Sequence, residues 1–276
     1  APGVWLDYGF AYLDRAVAWA EQNGLYVLLD FHGAPGGQSP WDHTGEMCRN
    51  EFFTSERCLG RTCALWRAIA ARYKDRPAVF GYDTLNEPFS ARDLEDWVRV
   101  QDALYQSIRA GDPDGIVVME EGYKLEEMPY MLKGFFPKPE DRGWSNVMYS
   151  FHFYANDGGR AKMIRKIGLR EQQRCNVPLY VGEFSTMSAS PEGLAGMREY
   201  MTLFNDLGWA WSPWTFKYVD AENEGAMWGI YAYRGVPPRI PDVQRDSLDD
   251  LLAAVGRLGA GDDAGLAGKL RGLLRR

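Results

Sequence analysis

Gly81-Tyr82-Asp83-Thr84-Leu85-Asn86-Glu87-Pro88 is a short apolar run closing on a carboxylate, and Pro178-Leu179-Tyr180-Val181-Gly182-Glu183-Phe184 is a second run of the same design. Both read as buried strands, being short, β-branched or aromatic, and bounded by Gly and Pro. Glu87 and Glu183 therefore fall at the carboxyl ends of strands, where a parallel (β/α) barrel keeps its chemistry. A single Glu after a strand is often only a loop residue or a helix cap. Pro88 makes the first case more specific, because it biases the residue before it away from the helical region and so specifies the turn. Two carboxylates facing one cavity are the minimum equipment for cleaving a glycosidic bond.

Spacing extends the pattern outward. Strand-like runs also end near Glu120 (Gly115 to Glu120), His152 (Val147 to His152) and Trp214 (Trp209 to Trp214), so the steps from Glu87 through Glu120, His152 and Glu183 to Trp214 are 33, 32, 31 and 31 residues. That is the size of a βαβ unit, and its regularity argues for repeated βα units and a parallel sheet. An earlier unit, Leu25 to His32, is followed by a longer step of 55 residues to Glu87. The surplus falls between Gly33 and Cys63, in a polar, Gly- and Pro-bearing stretch expected to lie as a large loop over the barrel mouth. Helical spacing fills the gaps: Phe10, Leu13, Val17 and Ala20 between Asp7 and Gly24; Leu65, Ile69 and Tyr73; Leu94, Trp97, Val98, Leu104 and Ile108; Leu194, Met197, Met201 and Phe204 before Gly208. The chain is α/β.

At 276 residues and 46% hydrophobic the chain can bury a full core, and one domain over residues 1–258 is expected, with a short tail at 259–276. Leu248, Leu251, Leu252 and Val255 carry the spacing of a last helix before that tail. A net charge of −7 argues against a nucleic-acid partner or an anionic membrane surface. Aromatic residues make up 14%, with ten Trp, which suits stacking on sugar faces although core packing also uses such rings. No apolar run reaches the roughly 18 residues of a membrane span, and Ala1-Pro2-Gly3 leads straight into an amphipathic helix. Four cysteines with no Cys-x-x-Cys pair argue against a zinc site. Cys48 and Cys58 could be bonded in an exported protein, or all four could be free thiols.

Leu29-Asp30-Phe31-His32-Gly33-Ala34-Pro35-Gly36-Gly37, Leu85-Asn86-Glu87-Pro88, His152-Phe153-Tyr154, Gly182-Glu183-Phe184 and Trp214 with Lys217 come in that order. Together they resemble glycoside hydrolase family 5, especially its bacterial cellulase-like and fungal exo-glucanase-like branches, over residues from about 10 to 250. The resemblance implies a (β/α)8 TIM-type barrel and a retaining mechanism, with Glu87 as acid/base and Glu183 as nucleophile. It also implies that Asn86 binds the sugar 2-hydroxyl, that Tyr154 donates to Glu183, and that Trp214 is the platform beneath the sugar. Matched by its motifs, the strand at Leu25 to Phe31 corresponds to the family's third. The first two strands, and the Arg at the end of the second, have no counterpart here. The expectation is an amino-terminally truncated barrel of about six βα units, open at Leu25–Phe31 and Trp209–Trp214, inactive by itself and monomeric when complete.

His32 and His152 fall at strand ends and are expected to bind sugar hydroxyls or to hold the carboxylates. Trp41, Asp42 and His43 lie in the long loop, either as ordinary loop residues or as further substrate contacts, whereas Glu120 and Glu121 read as structural or peripheral. No cofactor and no metal are expected, since the chain has only three His and no His-x-His. Two other classes stay open, a metal-dependent barrel hydrolase using His32 and His152 and a carbohydrate-binding pseudoenzyme. The leading reading is a retaining hydrolase of a β-linked glucan or β-glucoside, exported to the periplasm or outside the cell.

Overall fold

The computed structural model describes residues 7–122, 136–155, 157–188, 190–218, 231–232 and 247. Within them the order is α1 (Asp7–Gln22), β1 (Val27–Asp30), α2 (Glu56–Tyr73), β2 (Val79–Asp83), α3 (Leu94–Gly111), β3 (Ile116–Glu120), β4 (Val147–Tyr154), α4 (Ala161–Cys175), β5 (Leu179–Ser185), α5 (Pro191–Leu207) and β6 (Ala210–Trp211). These six strands form one sheet in chain order, β1-β2-β3-β4-β5-β6. The pairing is parallel, with Asp30 beside Asp83, Asp83 beside Val118, and Glu120 beside Ser150. The αβ alternation and the strand count agree with the sequence reading. A separate short ladder joins Lys217–Tyr218 to Tyr231–Ala232. The expected last helix at 248–255 and the tail at 259–276 lie outside the described residues. Among those described, no helix is long and apolar enough to cross a membrane.

Capping chemistry sets the helix ends. Ser55, Asp93 and Ser190 each accept a backbone N–H from three residues on, at Cys58, Asp96 and Gly193. Gly24 and Gly208 take left-handed backbones (φ 64° and 66°) after α1 and α5. There the paired bonds Gly24 N to Glu21 O with Leu25 N to Ala20 O, and Gly208 N to Asn205 O with Trp209 N to Phe204 O, close each helix. The same closures shorten two expected strands. Leu25 and Trp209 belong to the helix ends, so β1 begins only at Val27, which donates to Ala78 O, and Leu25 and Tyr26 are exposed. β6 keeps two residues, because Pro213 has no N–H to continue a ladder. The long loop is also shorter than expected: α2 starts at Glu56, so Cys58 and Cys63 are helical, and all four cysteines are free thiols.

The chain divides into two compact units, residues 1–152 with 166–180, and residues 153–165 with 181–276. In the first, Val117, Val118 and Met119 of β3 are fully buried, as a strand covered on both faces requires. α2 and α3 approach closely at Gly111, where a Cβ would lie 2.6 Å from Arg67 O. Phe136 stacks on Tyr149 at 4.1 Å, and Trp66 meets Tyr82 edge-on. In the second unit Phe153, Phe184, Tyr200 and Phe204 form an aromatic core, with Phe153 to Tyr200 at 4.7 Å and Phe184 to Phe204 at 5.1 Å.

Candidate active site

The first unit gathers two carboxyls and two imidazoles: Glu87 after β2, Glu120 at the end of β3, His152 within β4, and His43 of the long loop. Glu87 lies four residues past β2 and is 6% exposed. Its backbone is left-handed, φ 43°, a conformation that non-glycine residues rarely adopt and that clusters at functional sites. Two backbone bonds fix the turn, Asn86 N–H to Phe31 O at 3.1 Å and Phe89 N–H to Glu87 O at 2.8 Å. Glu87's own N–H donates to Glu120 Oε2 at 2.9 Å. The Glu87 carboxyl then meets two rings, His152 Nδ1 at 3.1 Å from Oε1 and His43 Nδ1 at 3.6 Å from Oε2. His152 Nδ1 also lies 3.1 Å from Glu120 Oε1.

The sequence reading treated Glu120 as structural or peripheral; it is not peripheral. It is 1% exposed, and its carboxyl is bound to both the backbone and the histidine of the candidate acid/base. Burial pushes it well above the ordinary carboxylate range. His152 opposes that shift, while the Glu87 and Asp83 charges add to it. Its period of 33 residues from Glu87 already placed it at a strand end. What the sequence lacked was the direction of the side chain. Trp97 of α3 pins the strand there, donating Nε1–H to Glu120 O at 3.1 Å.

The long loop delivers His43, while Trp41 beside it is 41% exposed. Burial lowers the His43 pKa, and the Glu87 charge is the largest opposing influence. Its Nε2 is buried with no hydrogen-bond partner among the described residues. Gln38 holds this loop and was not singled out in the sequence. Fully buried, it donates Nε2–H to His32 O at 2.9 Å and to Asn86 O at 2.8 Å, and accepts from Ala34 N–H at 2.9 Å. The turn before it needs Gly37, φ 73°, where a Cβ would sit 2.1 Å from Arg49 O. Asn86 is 3% exposed beside Glu87. His32 is partly exposed, its Nδ1 2.8 Å from Asp30 Oδ2 and its ring edge-on to His43 at 5.8 Å. Glu87, Glu120 and His152 are thus joined by short contacts, with His43 beside them.

The second unit holds the other carboxylate. Glu183 of β5 is 8% exposed, and Tyr154, the last residue of β4, donates its hydroxyl to Glu183 Oε2 at 2.5 Å. Such a short bond to a carboxylate favours its charged form. Ser212 braces the strand just before this residue, N–H to Val181 O and Oγ–H to Gly182 O at 2.6 Å. Trp214 is half-buried, donates its backbone N–H to Phe184 O, and is joined to Thr215 by a cis peptide. Trp211 turns instead to α5, with Nε1–H to Asn205 Oδ1 at 3.0 Å and its ring 5.7 Å from Phe184.

Residues 3–220 match the family "Cellulase (glycosyl hydrolase family 5)". The chain belongs to that family. Among curated family relatives, a β-xylosidase of Phanerodontia chrysosporium is 25% identical over 246 residues, 79% of this chain and 50% of that protein. A probable glucan 1,3-β-glucosidase A of Aspergillus fumigatus is 31% identical over 195 residues, 66% of this chain and 44% of that protein. The chain thus spans about half the length of the curated relatives it matches. Among solved structures, endo-glycoceramidase II from Rhodococcus sp. aligns with TM-score 0.64 at 18% identity, over 84% of this chain and 64% of that one. Endoglucanase Cel5A of Thermotoga maritima aligns with TM-score 0.61 at 19% identity, over 90% and 78%. Those alignments establish the fold as the TIM-barrel type of the family, with six of its strands in the described sheet.

Proposed function

We propose that this family 5 chain, as one catalytic domain over residues 1–258, is a retaining glycosidase acting on a β-linked glucan or β-glucoside, with Glu183 as nucleophile and Glu87 as acid/base. The observation that carries the reading is the Tyr154 hydroxyl held 2.5 Å from Glu183 Oε2, which suits a carboxylate kept anionic for attack. Glu87, in contrast, is clustered with His152 and a third carboxyl, surroundings in which a proton can be held and returned. Relatives named for glucan 1,3-β-glucosidase and β-xylosidase activity support a β-linked substrate.

In the first step a Glu183 oxygen attacks the anomeric carbon as the glycosidic C–O bond breaks, and Glu87 gives its proton to the departing oxygen. The product is a glycosyl ester on Glu183. In the second step Glu87, now a carboxylate, takes a proton from water; the water oxygen attacks the same carbon, and Glu183 leaves as a carboxylate. The reaction requires the two carboxyls at about 5 Å. Asn86 at the 2-hydroxyl, Trp214 beneath the ring, His32 at a sugar hydroxyl, and His152 at a sugar hydroxyl or holding the Glu87 carboxyl complete the assignment.

Glu87→Gln and Glu183→Gln, made in the full-length parent protein, test it. Each lowers turnover of an alkyl β-glucoside by several orders of magnitude with the fold intact. Glu87→Gln still forms the glycosyl-enzyme from a dinitrophenyl glucoside, whose leaving group needs no proton, and Glu183→Gln does not. More than about a tenth of parental activity in either variant removes that residue from its role.

A further inference from the structure

The buried contacts of Glu120 are not accounted for by the two-carboxylate reaction. A left-handed backbone is strained at a non-glycine residue, and Glu87 is followed by Pro88, which disfavours helical backbone before it. The Glu120 Oε2 bond to the Glu87 N–H at 2.9 Å is placed to offset that cost. The other oxygen faces His152 Nδ1, a nitrogen that has room for one proton or one lone pair. That nitrogen lies at 3.1 Å from both Glu87 Oε1 and Glu120 Oε1. Two carboxyls therefore compete for one ring position.

We propose that Glu120 is a positioning residue for the acid/base carboxyl: it fixes the backbone of Glu87 and shares His152 Nδ1 with it, holding that carboxyl where it can act as an acid. The inference rests on the acid/base reading of Glu87. Without Glu120, the Glu87 N–H and one side of His152 Nδ1 would lose this partner, and the Glu87 carboxyl would be less firmly placed. Among the described residues the titratable groups acting on Glu120 and His43 include Asp83 from β2, His152 from β4, Glu87 from the loop after β2, and His32 and Asp42 beside His43. α3 contributes only the Trp97 indole, on the Glu120 carbonyl. Burial of Glu120 favours its neutral form, in keeping with a cluster that retains protons.

The test is kcat/KM of Glu120→Gln and Glu120→Ala on methyl and dinitrophenyl β-glucosides, with near-ultraviolet circular dichroism as the check of folding. Glu120→Gln keeps an oxygen for the Glu87 N–H and offers an amide N–H to His152 Nδ1, as the neutral carboxyl offers its O–H, and is expected to stay within a few-fold of the parental rate on both substrates. Glu120→Ala loses both contacts and is expected to fall on the order of a hundredfold on the methyl glucoside, the scale of a misplaced catalytic group, and clearly less on the dinitrophenyl glucoside. A hundredfold loss in Glu120→Gln overturns the proposal, whether or not Glu120→Ala folds; so does an equal loss on both substrates, or no loss, in folded Glu120→Ala. Glu87→Gln run alongside separates the two levels. If Glu87→Gln retains activity on the methyl glucoside, the acid/base reading falls and this inference with it. If Glu87→Gln behaves as an acid-deficient enzyme while Glu120→Ala keeps the parental rates, only the role of Glu120 is lost.

Discussion

Tyr154→Phe removes one oxygen and leaves the ring that ends β4, so it isolates a single hydrogen bond. That bond, 2.5 Å to Glu183 Oε2, is a short O–H to carboxylate contact. Bonds of this charged class contribute about 1.5–3 kcal/mol, which is roughly a 10- to 100-fold change in an equilibrium or a rate. The sign follows from what the hydroxyl stabilises. It favours the carboxylate over the carboxylic acid, so its loss lets Glu183 protonate at higher pH, and the acidic limb of kcat/KM moves up by about one to two pH units. The assay is kcat/KM on dinitrophenyl β-glucoside across pH, where acid catalysis contributes least. Below the displaced limb the variant is expected to fall roughly 10- to 100-fold behind the parent, by the same arithmetic. Above the limb, where the nucleophile is ionised in both, the gap closes to a few-fold from looser orientation. An unmoved limb with rates within twofold at both ends would refute the role given to Tyr154, and with it the argument that Glu183 is kept anionic by this contact.

Two further outcomes concern the loop that reaches Glu87. Gln38→Leu leaves Ala34 N–H and the carbonyls of His32 and Asn86 without their buried partner; a loss of about 2–4 kcal/mol is expected from urea unfolding, and a change under about 1 kcal/mol would contradict the clamp. His43 has its pKa lowered from 6.5 by burial, so its contribution to stability is present above pH 6.5 and is lost as pH falls through the folded value. The urea midpoint of the parent should therefore decline on acidification below pH 6.5 more steeply than that of His43→Gln, and parallel declines would remove His43 from the buried cluster.

Periodicity made the strand ends legible. The near-constant step put Glu87, Glu120, His152 and Glu183 in equivalent places before any contact was known, since a βα unit has nearly fixed length. Direction was not legible. Whether Glu120 turns inward depends on sheet twist and on Trp97 behind it, neither of which a one-dimensional pattern carries. The edges of β1 and β6 were misjudged for a local reason: the closing bonds after α1 and α5 draw Leu25 and Trp209 out of runs that are apolar enough to be strand. His43 and Gln38 belong to a loop whose path is fixed by side-chain bonds and by the Gly37 turn. Composition marks such a segment only as polar and Gly-bearing.

The most direct measurement is the identity of the residue that carries the sugar in mid-reaction. The protein is incubated with a 2-deoxy-2-fluoro glucoside bearing a dinitrophenolate leaving group, which slows hydrolysis of the intermediate more than its formation, and is then digested and analysed by mass spectrometry. A fluoroglycosyl adduct on the peptide containing Glu183, absent from Glu183→Gln, is the predicted result. Turnover of ordinary substrate with inversion at the anomeric carbon, or an adduct on any other residue, would contradict the account; so would sugar binding with neither adduct nor turnover.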